Sequence, residues 1–229
     1  QISEAEEAAR FGAIPGQLKL KDHSGPDGKP DGRIDDFDRH IIGDGDARLQ
    51  GGMTHRFAYK GFDVSMVFYA RFGGLLISQI HQPNAGFLTT LDGRRNGLKV
   101  DYWTPTNPTN WFPQPQAQIS NMSSAWSTLG YYSGTFVKLR SVNFGYTLQK
   151  EMLKRFGVQS LRAYFNVDNA AILFSPFFNQ TGIDPEGTGV GNQGVSNPGN
   201  IRGGANGTVT IGLSTPPRRT YTFGLNLTI

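Results

Sequence analysis

The sequence predicts an all-β protein in which five long strands each have one apolar and one polar face. Three observations support this prediction: apolar and polar side chains alternate over five stretches, 30 of the 229 residues are glycine, and only 37% are hydrophobic. Low hydrophobicity together with 12% aromatic residues argues against both disorder and a large leucine-rich core. The composition favours strands joined by long polar loops.

The clearest alternation lies at the end of the sequence, in residues 219–229, which read RTYTFGLNLTI. Every second side chain from Tyr221 onward is apolar, and this apolar face carries no charge. The stretch has about the length that a tilted strand needs to cross the hydrocarbon layer of a membrane. A soluble protein that left it at a sheet edge would expose a row of unpaired backbone groups, so we expect it to be sealed into a closed sheet.

Residues 49–59 and 62–72 show the same period and are predicted to form a hairpin. Lys60 and Gly61 lie between them, and glycine readily adopts the positive φ that such short turns need. His55 falls on the apolar parity of the first arm, where a neutral packing role is a simpler interpretation than metal binding. Each arm is about as long as a membrane-crossing strand.

Two further strands are predicted at residues 135–148 and 160–174. The apolar parity changes within the first of them, and a bulge near Ser141 would restore a single apolar face, because an extra residue shifts the side-chain alternation. A short helical turn closed by Gly157 is expected to connect the two strands.

The composition also limits the classes of function. The absence of cysteine excludes disulfides, thiolate chemistry and zinc sites built on cysteine. A net charge of +4 from scattered Lys and Arg residues gives nucleic-acid binding little support. No apolar run reaches the length of a membrane-spanning helix. No serine-histidine-aspartate elbow, phosphate-binding loop or histidine cluster supports an enzyme.

An Asp- and Gly-rich segment, PDGKPDGRIDDFD, resembles a calcium-binding loop. In the spacing of such loops, Asp27, Asp31, Asp35 and Asp38 would supply carboxylates around the turn glycine Gly32. Lys29 opposes this interpretation, because it occupies a ligand position, and an alternative set of ligands would include Asp22. A surface loop built from Asx turns, without a metal, is the competing interpretation.

Residues 73–134 have no sustained period and contain all three tryptophans. Long stretches of this kind are usually functional in compact proteins. The aromatic residues that we predict to contact a ligand or a covering partner are Trp103, Trp111, Trp126, Tyr131 and Tyr132. The alternative is that these rings pack the loop onto itself or join an interfacial belt.

The five strands have short connections at one end and long ones at the other, which is the pattern of a membrane barrel. Five strands cannot close such a barrel, since the smallest have about eight. An open edge in lipid would leave backbone groups unsatisfied, so we expect this chain to pair with further strands.

Several stretches resemble the C-terminal portion of SusC-like TonB-dependent outer-membrane receptors. The resemblance runs in order along nearly the whole chain and is carried by AYKGFDVSMVFYARFG, TFVKLRSVNFGYTLQKEMLKRFGVQSLRAYFNVDN and PPRRTYTFGLNLTI. It implies that the chain is the C-terminal five strands of a plugged antiparallel barrel of about 22 strands. Residues 1–48 would then form an extracellular loop that carries the Asp-rich segment, and residues 49–229 the barrel strands with their extracellular loops.

The same resemblance implies a protein of the cell outer membrane that imports glycans or peptides and does no chemistry on them. The implied partners are a SusD-like lipoprotein, the TonB complex acting through an upstream portion, the remaining barrel and plug, and the lipid bilayer. One alternative is a secreted all-β carbohydrate-binding module with a calcium loop. A glycoside hydrolase that uses a carboxylate pair, either Asp35 with Asp38 or Asp184 with Glu186, is a weaker one.

Overall fold

The computed structural model describes residues 15–81, 101–114, 128–154, 157–186, 209–211 and 217–228. The strands are β1 (Leu49–Tyr59), β2 (Phe62–Phe72), β3 (Leu75–Ser78), β4 (Tyr131–Ser133), β5 (Phe136–Thr147), β6 (Ser160–Phe174), β7 (Val209–Ile211) and β8 (Thr220–Thr228). The α-helices are α1 (Lys150–Leu153) and α2 (Pro176–Thr181), and short 3-10 helices cover Asp36–Asp38, Gln79–His81 and Thr128–Gly130. None of the helices in these ranges is long and apolar enough to cross a membrane.

The five long strands form one antiparallel sheet in the order β1-β2-β5-β6-β8. These are the five strands predicted from the alternation, and the prediction is confirmed to within one or two residues at each end; Ile229 lies outside the described residues. The five strands lie in the sheet in the same order as along the chain, so the sheet is a simple meander. Each pair keeps apolar side chains opposite one another, as Phe165 and Phe223 are on β6 and β8.

A bulge interrupts the centre of the sheet. On β2, Val67 pairs with Ser141 and the next residue pairs with Leu139, so Arg140 is the extra residue of β5. Asn169, on the facing part of β6, has the positive φ of 52° that accompanies the same irregularity. The bulge confirms the one predicted near Ser141 and keeps the apolar side chains of β5 on one face across the change of parity.

The tight connections are also as predicted. Lys60 and Gly61 both have positive φ values, 46° and 88°, which is the conformation of a type I′ hairpin turn. The connection between β5 and β6 contains α1, and Gly157 follows with a φ of 69°.

The regions predicted to lack regular structure contain several short elements. A second sheet has the order β4-β3-β7, and α2 follows directly on β6. The side chain of Ser175 caps α2 by accepting from Phe178 N (3.1 Å), Pro176 occupies its first turn, and Gly182 ends it with a φ of 72°. The residues that cap α2 are local helix signals, and an alternation of apolar and polar side chains does not predict them.

The chain divides into two compact units, one of Gln1–Asp44 and Ile77–Tyr131 and the other of Gly45–Leu76 and Tyr132–Ile229. The first unit has a small core in which the Trp103 ring lies against Gly16 and Trp103 N donates to Phe112 O (2.9 Å). His81 is buried beside Phe112, with ring centroids 5.9 Å apart. The second unit contains the five-stranded sheet.

Candidate functional site

One face of the five-stranded sheet is apolar and exposed. Phe223 is 80% exposed, although it is a phenylalanine in the middle of a regular strand. The other large apolar side chains that are exposed on these strands include Leu49, Met53, Phe57, Phe62, Phe72, Phe144, Tyr221, Leu225 and Leu227. In water such a face would normally be covered by a second layer. Among the described residues no second layer packs on it.

The opposite face carries charges that are bonded to one another across strands. Arg162 of β6 donates to Asp63 of β2 through Nε (3.1 Å) and Nη2 (2.6 Å), and Nη2 also reaches Asn143 Oδ1 (3.3 Å). β5 lies between these two strands, and it presents Gly145 directly opposite Asp63. A side chain at this glycine would overlap the ion pair, so the sequence leaves the space that the bridge needs.

A second charged cluster centres on Lys138, which is only 1% exposed. Its Nζ donates to both carboxylate oxygens of Asp184 (3.1 and 2.8 Å) and lies 3.0 Å from Glu186 Oε2. Arg140 pairs with the same glutamate, and its guanidinium carbon lies 3.8 Å from the Tyr69 ring centroid. A buried ammonium group is costly without partners, and here two carboxylates surround it.

The two acidic residues belong to a segment that returns over the polar face of the sheet. We call residues 175–186, which comprise α2 and the turn that follows it, the strap. Phe177 of the strap is completely buried, and its ring meets Tyr132 edge to face with centroids 4.9 Å apart. Apolar packing at one end of the strap and ion pairs at the other therefore hold it against the sheet. Asp184 and Glu186, considered above as a hydrolytic pair, are bonded to Lys138 and Arg140.

A further glycine on the polar face has an aromatic neighbour. Gly224 of β8 pairs with Tyr164 of β6, and the phenol ring occupies the place where a Cβ would lie. A ring that covers a glycine of the neighbouring strand protects the exposed backbone and helps to fix the register. The polar face is thus lined by charged groups, amides and tyrosine rings.

The predicted aromatic contact residues lie in different environments. Trp103 is 8% exposed in the core of the first unit, whereas Trp111 is 42% exposed and stacks on Phe112 with ring centroids 6.1 Å apart. Tyr131 and Tyr132 are half-buried in β4, and burial raises the pKa of Tyr132 to about 12. Trp126 lies outside the described residues. Contact of this set with a ligand stays a prediction.

The Asp-rich segment is organised by its own hydrogen bonds. Asp38 accepts from the backbone N–H groups of Asp35, His23 and Ser24, and the first two hold the pKa of its carboxyl below the ordinary value. Three other aspartates accept backbone hydrogen bonds: Asp35 from Phe37 N, Asp31 from Arg33 N, and Asp22 from Gly32 N.

The bonds from Phe37 to Asp35 and from Arg33 to Asp31 are Asx turns of the kind that the competing interpretation describes. Asp27 is exposed on the same loop. In the part of the chain that the structure describes, no three acidic or histidine side chains are grouped to hold a metal ion. Calcium binding by Asp27, Asp31, Asp35 and Asp38 stays a prediction.

Comparison with known proteins adds to this geometry. No family model matches the chain. TonB-dependent receptor P3 of Formosa agariphila is 31% identical over 201 residues, which cover 86% of this chain. TonB-dependent receptor P26 of the same organism is 29% identical over 219 residues, or 94% of the chain.

Solved structures of the RagAB peptide importer share the fold. The open-open state superimposes with a TM-score of 0.55 over 89% of this chain at 14% identity, and the closed-closed state gives 0.55 over 94% at 15% identity. This chain spans only part of all these proteins, namely 18% and 20% of the two receptors and 20% and 21% of the two importer chains.

Proposed function

Because this chain belongs to the TonB-dependent receptors, we propose that it forms five strands of the barrel wall of a SusC-like importer in the cell outer membrane. The apolar face meets lipid, and the polar face lines the lumen through which cargo passes. The barrel is completed by strands outside this chain, which pair with the edges of β1 and β8.

The observation that carries the proposal is the reversed distribution of side chains in one sheet. Phe223 and its neighbours are exposed on one face, while Lys138 and its carboxylate partners are buried on the other. Lipid favours exposed apolar groups and gives charges no solvation, so a wall between lipid and a polar lumen favours this distribution.

The connections support an orientation. The Lys60–Gly61 turn and the α1 connection are short, whereas the segments before β1, between β2 and β5, and between β6 and β8 are long. Long connections face the outside of the cell in barrels of this kind. We therefore place residues 1–48 outside, as a loop, and residues 49–229 in the wall and its outer loops. The strap returns from the outer end onto the lumen side of the wall.

The cargo and the partners belong to the same proposal. The relatives are named as receptors and the structural neighbours as peptide importers. We propose glycans or peptides as cargo, a SusD-like lipoprotein as the partner that captures them outside, and the TonB complex as the source of energy through a part of the receptor beyond this chain. The importer moves its cargo without chemical change.

The test begins with the complete receptor produced in a Gram-negative host. We expect it in the outer-membrane fraction, soluble only with detergent, and shifted in electrophoretic mobility when it is heated. A strain that lacks the receptor should lose growth on one class of nutrient, either oligosaccharides or a peptide mixture, and regain it with the intact gene. A chain that stays soluble and monomeric without detergent would instead identify a secreted binding module.

A further inference from the structure

The cluster around Lys138 brings one amine and two carboxyl groups together in a site that is largely closed to water. The Lys138 side chain is 2% exposed, and those of Asp184 and Glu186 are 16% and 19% exposed. The ion pair between Arg162 and Asp63, on the same face of the sheet, is more open, with 30% and 38% of the two side chains exposed. Water therefore solvates the charges of the Lys138 cluster far less than those of the Arg162 pair.

Aromatic side chains lie beside the amine. Lys138 of β5 pairs with Tyr69 of β2. The Tyr69 ring centroid lies 5.8 Å from that of Phe136, which is 2% exposed and precedes Lys138 by two residues in β5. In such surroundings, the loss of hydration of an ion pair can exceed its Coulomb attraction. A reaction that removes one positive and one negative charge from this site would relieve that cost.

Asp184 presents its carboxyl group to the amine. Both of its oxygens lie within hydrogen-bond distance of Lys138 Nζ, at 3.1 and 2.8 Å, so the carbon between them is close to the nitrogen. Attack on that carbon then needs a rotation of the carboxyl plane. The backbone N–H of Glu186 donates to Asp184 Oδ1 (2.8 Å), where a donor stabilises the charge that develops on a carbonyl oxygen under attack. Pro185, between the two acids, is completely buried and restricts the backbone there.

Glu186 lies where it can move a proton. Its Oε2 is 3.0 Å from Lys138 Nζ, within reach of a proton on the ammonium group. Its other carboxylate oxygen pairs with Arg140. If Lys138 and Asp184 lost their charges together, Glu186 and Arg140 would remain as a balanced pair.

We propose that Lys138 and Asp184 join in an intramolecular amide bond, which fixes the strap to β5 covalently. Glu186 carries one proton from the ammonium group to the Asp184 carboxylate, which leaves a neutral amine beside a neutral acid. The Nζ electron pair forms the new bond to the Asp184 carboxyl carbon. A second proton from Nζ passes through Glu186 to the departing oxygen. The carbon–oxygen bond breaks, its electron pair stays on that oxygen, and one water molecule leaves.

The reaction is balanced without any further reactant. One amine and one carboxylic acid give one amide and one water, Glu186 ends as it began, and no atom is oxidised or reduced. Because the fold holds the two groups together, no entropy is lost in bringing them into contact. The inference does not depend on the proposed barrel wall, since all the groups that react belong to the same compact unit.

The experiment measures the mass of the complete receptor after it has been purified in detergent and unfolded. We expect the wild type to be lighter, by one water, than its processed sequence requires. Trypsin should not cleave after Lys138, because its side chain is an amide. The digest should contain a branched peptide that joins the segment of Lys138 to the segment of Asp184.

Three variants sharpen this test. Asp184→Asn should form the same bond with loss of ammonia instead of water, so its branched peptide should have the wild-type mass. Glu186→Gln removes the carboxylate that moves the proton and should leave Lys138 unlinked. Asp63→Asn is the matched control, because it breaks the more exposed ion pair of the same face and should keep the branched peptide.

Complete cleavage after Lys138 in a folded wild-type receptor would overturn the proposal. A loss of water without the branched peptide would also overturn it, because the dehydration would then lie elsewhere. A fully linked Glu186→Gln would overturn the role of Glu186. The wild type decides the main question even if a variant does not fold. A receptor that has the branched peptide but never enters the membrane would refute the proposed function, whereas a membrane-inserted receptor without it would refute only the amide bond.

Discussion

The core around Trp103 and the five-stranded sheet place their side chains by opposite rules. In the first, Trp103 and Phe112 are buried, as in proteins that fold in water. In the second, Phe223 is 80% exposed while Lys138 is 1% exposed. The same chain therefore contains a region with a buried apolar core and a sheet in which a lysine is buried under the strap while phenylalanines of the other face are exposed.

In the proposed barrel wall, this difference follows from the medium on each side and not from the residue type alone. Lipid tails are as apolar as a phenylalanine ring, so moving the ring from lipid into a protein core gains little free energy. Such a ring can therefore stay exposed. On the opposite face, two carboxylates of the strap lie against the Lys138 ammonium and replace the water it has lost. The following substitutions test this contrast, beginning with the largest expected effect.

A charge placed on the exposed face should be most costly. Phe223→Arg puts a guanidinium into the hydrocarbon layer, and we expect a loss of about 2–4 kcal/mol in the free energy of unfolding. Phe223→Leu is the matched control and should cost much less. Unfolding of the receptor in lipid vesicles by denaturant, followed by heat-modified mobility, measures both. Tolerance of arginine there would show that the face meets water.

The core around Trp103 should respond to pH. Burial lowers the pKa of His81 from 6.5 to about 4, and Ser78 Oγ lies 2.6 Å from its Nδ1. Between these pH values the unfolded segment binds a proton that the folded one does not, so stability is full above pH 6.5 and falls as the pH drops toward 4. The loss is on the order of 3 kcal/mol.

Hydrogen exchange of residues 101–114, corrected for its intrinsic pH dependence, measures this loss. His81→Phe keeps an aromatic ring in the site and should remove the pH dependence of exchange. The sheet serves as the internal reference, because its exchange should change little over the same range. An unchanged pH dependence in the variant would assign the effect to another group.

The strap should loosen when its buried cation is removed. Lys138→Met keeps much of the side-chain volume but leaves Asp184 and Glu186 without that partner, and we expect a loss of about 2 kcal/mol. Arg140→Met is the control, since Arg140 is 44% exposed in its side chain and should contribute about 1 kcal/mol or less. Hydrogen exchange of residues 175–186 reports both. Equal effects of the two substitutions would mean that burial of Lys138 adds nothing to the stability of the strap.

The smallest effect is expected at a glycine of the polar face. Gly224→Ala must displace the Tyr164 ring and should cost about 1 kcal/mol. Gly51→Ala adds the same methyl group where no atom lies within 4 Å, and it should be neutral or slightly stabilising. Denaturant midpoints of the two variants give the comparison. A neutral Gly224→Ala would show that the ring does not depend on this glycine.

The sheet could be predicted from the sequence because its information is local and periodic. Alternation located the five strands, Gly61 marked the hairpin, and the change of parity in β5 required the bulge that the structure has at Arg140. The candidate site was harder to predict from the sequence. Asp184 and Glu186 lie 46 residues after Lys138 and Arg140, in a segment with no period, and the sequence carries no signal for these pairings.

The roles predicted for the aromatic residues and for the Asp-rich segment stay predictions. Trp103 lies in a core with Gly16 and Phe112, and Asp35 and Asp38 accept backbone hydrogen bonds within the Asp-rich segment. The presence of tryptophan or aspartate in a loop does not reveal whether the residue binds a ligand or stabilises the loop. These two roles can be distinguished only when the path of the backbone is known. The alternation of side chains does not give that path for long irregular segments.

The cations that hold the strap and the carboxylates they hold all come from one continuous stretch, residues 138–186. A recombination event that exchanged this stretch between related genes would transfer the complete set of partners together. In the proposed receptor, the lumen side of the wall could therefore change by exchange of this whole stretch, without an intermediate in which the buried lysine has lost its counter-ions.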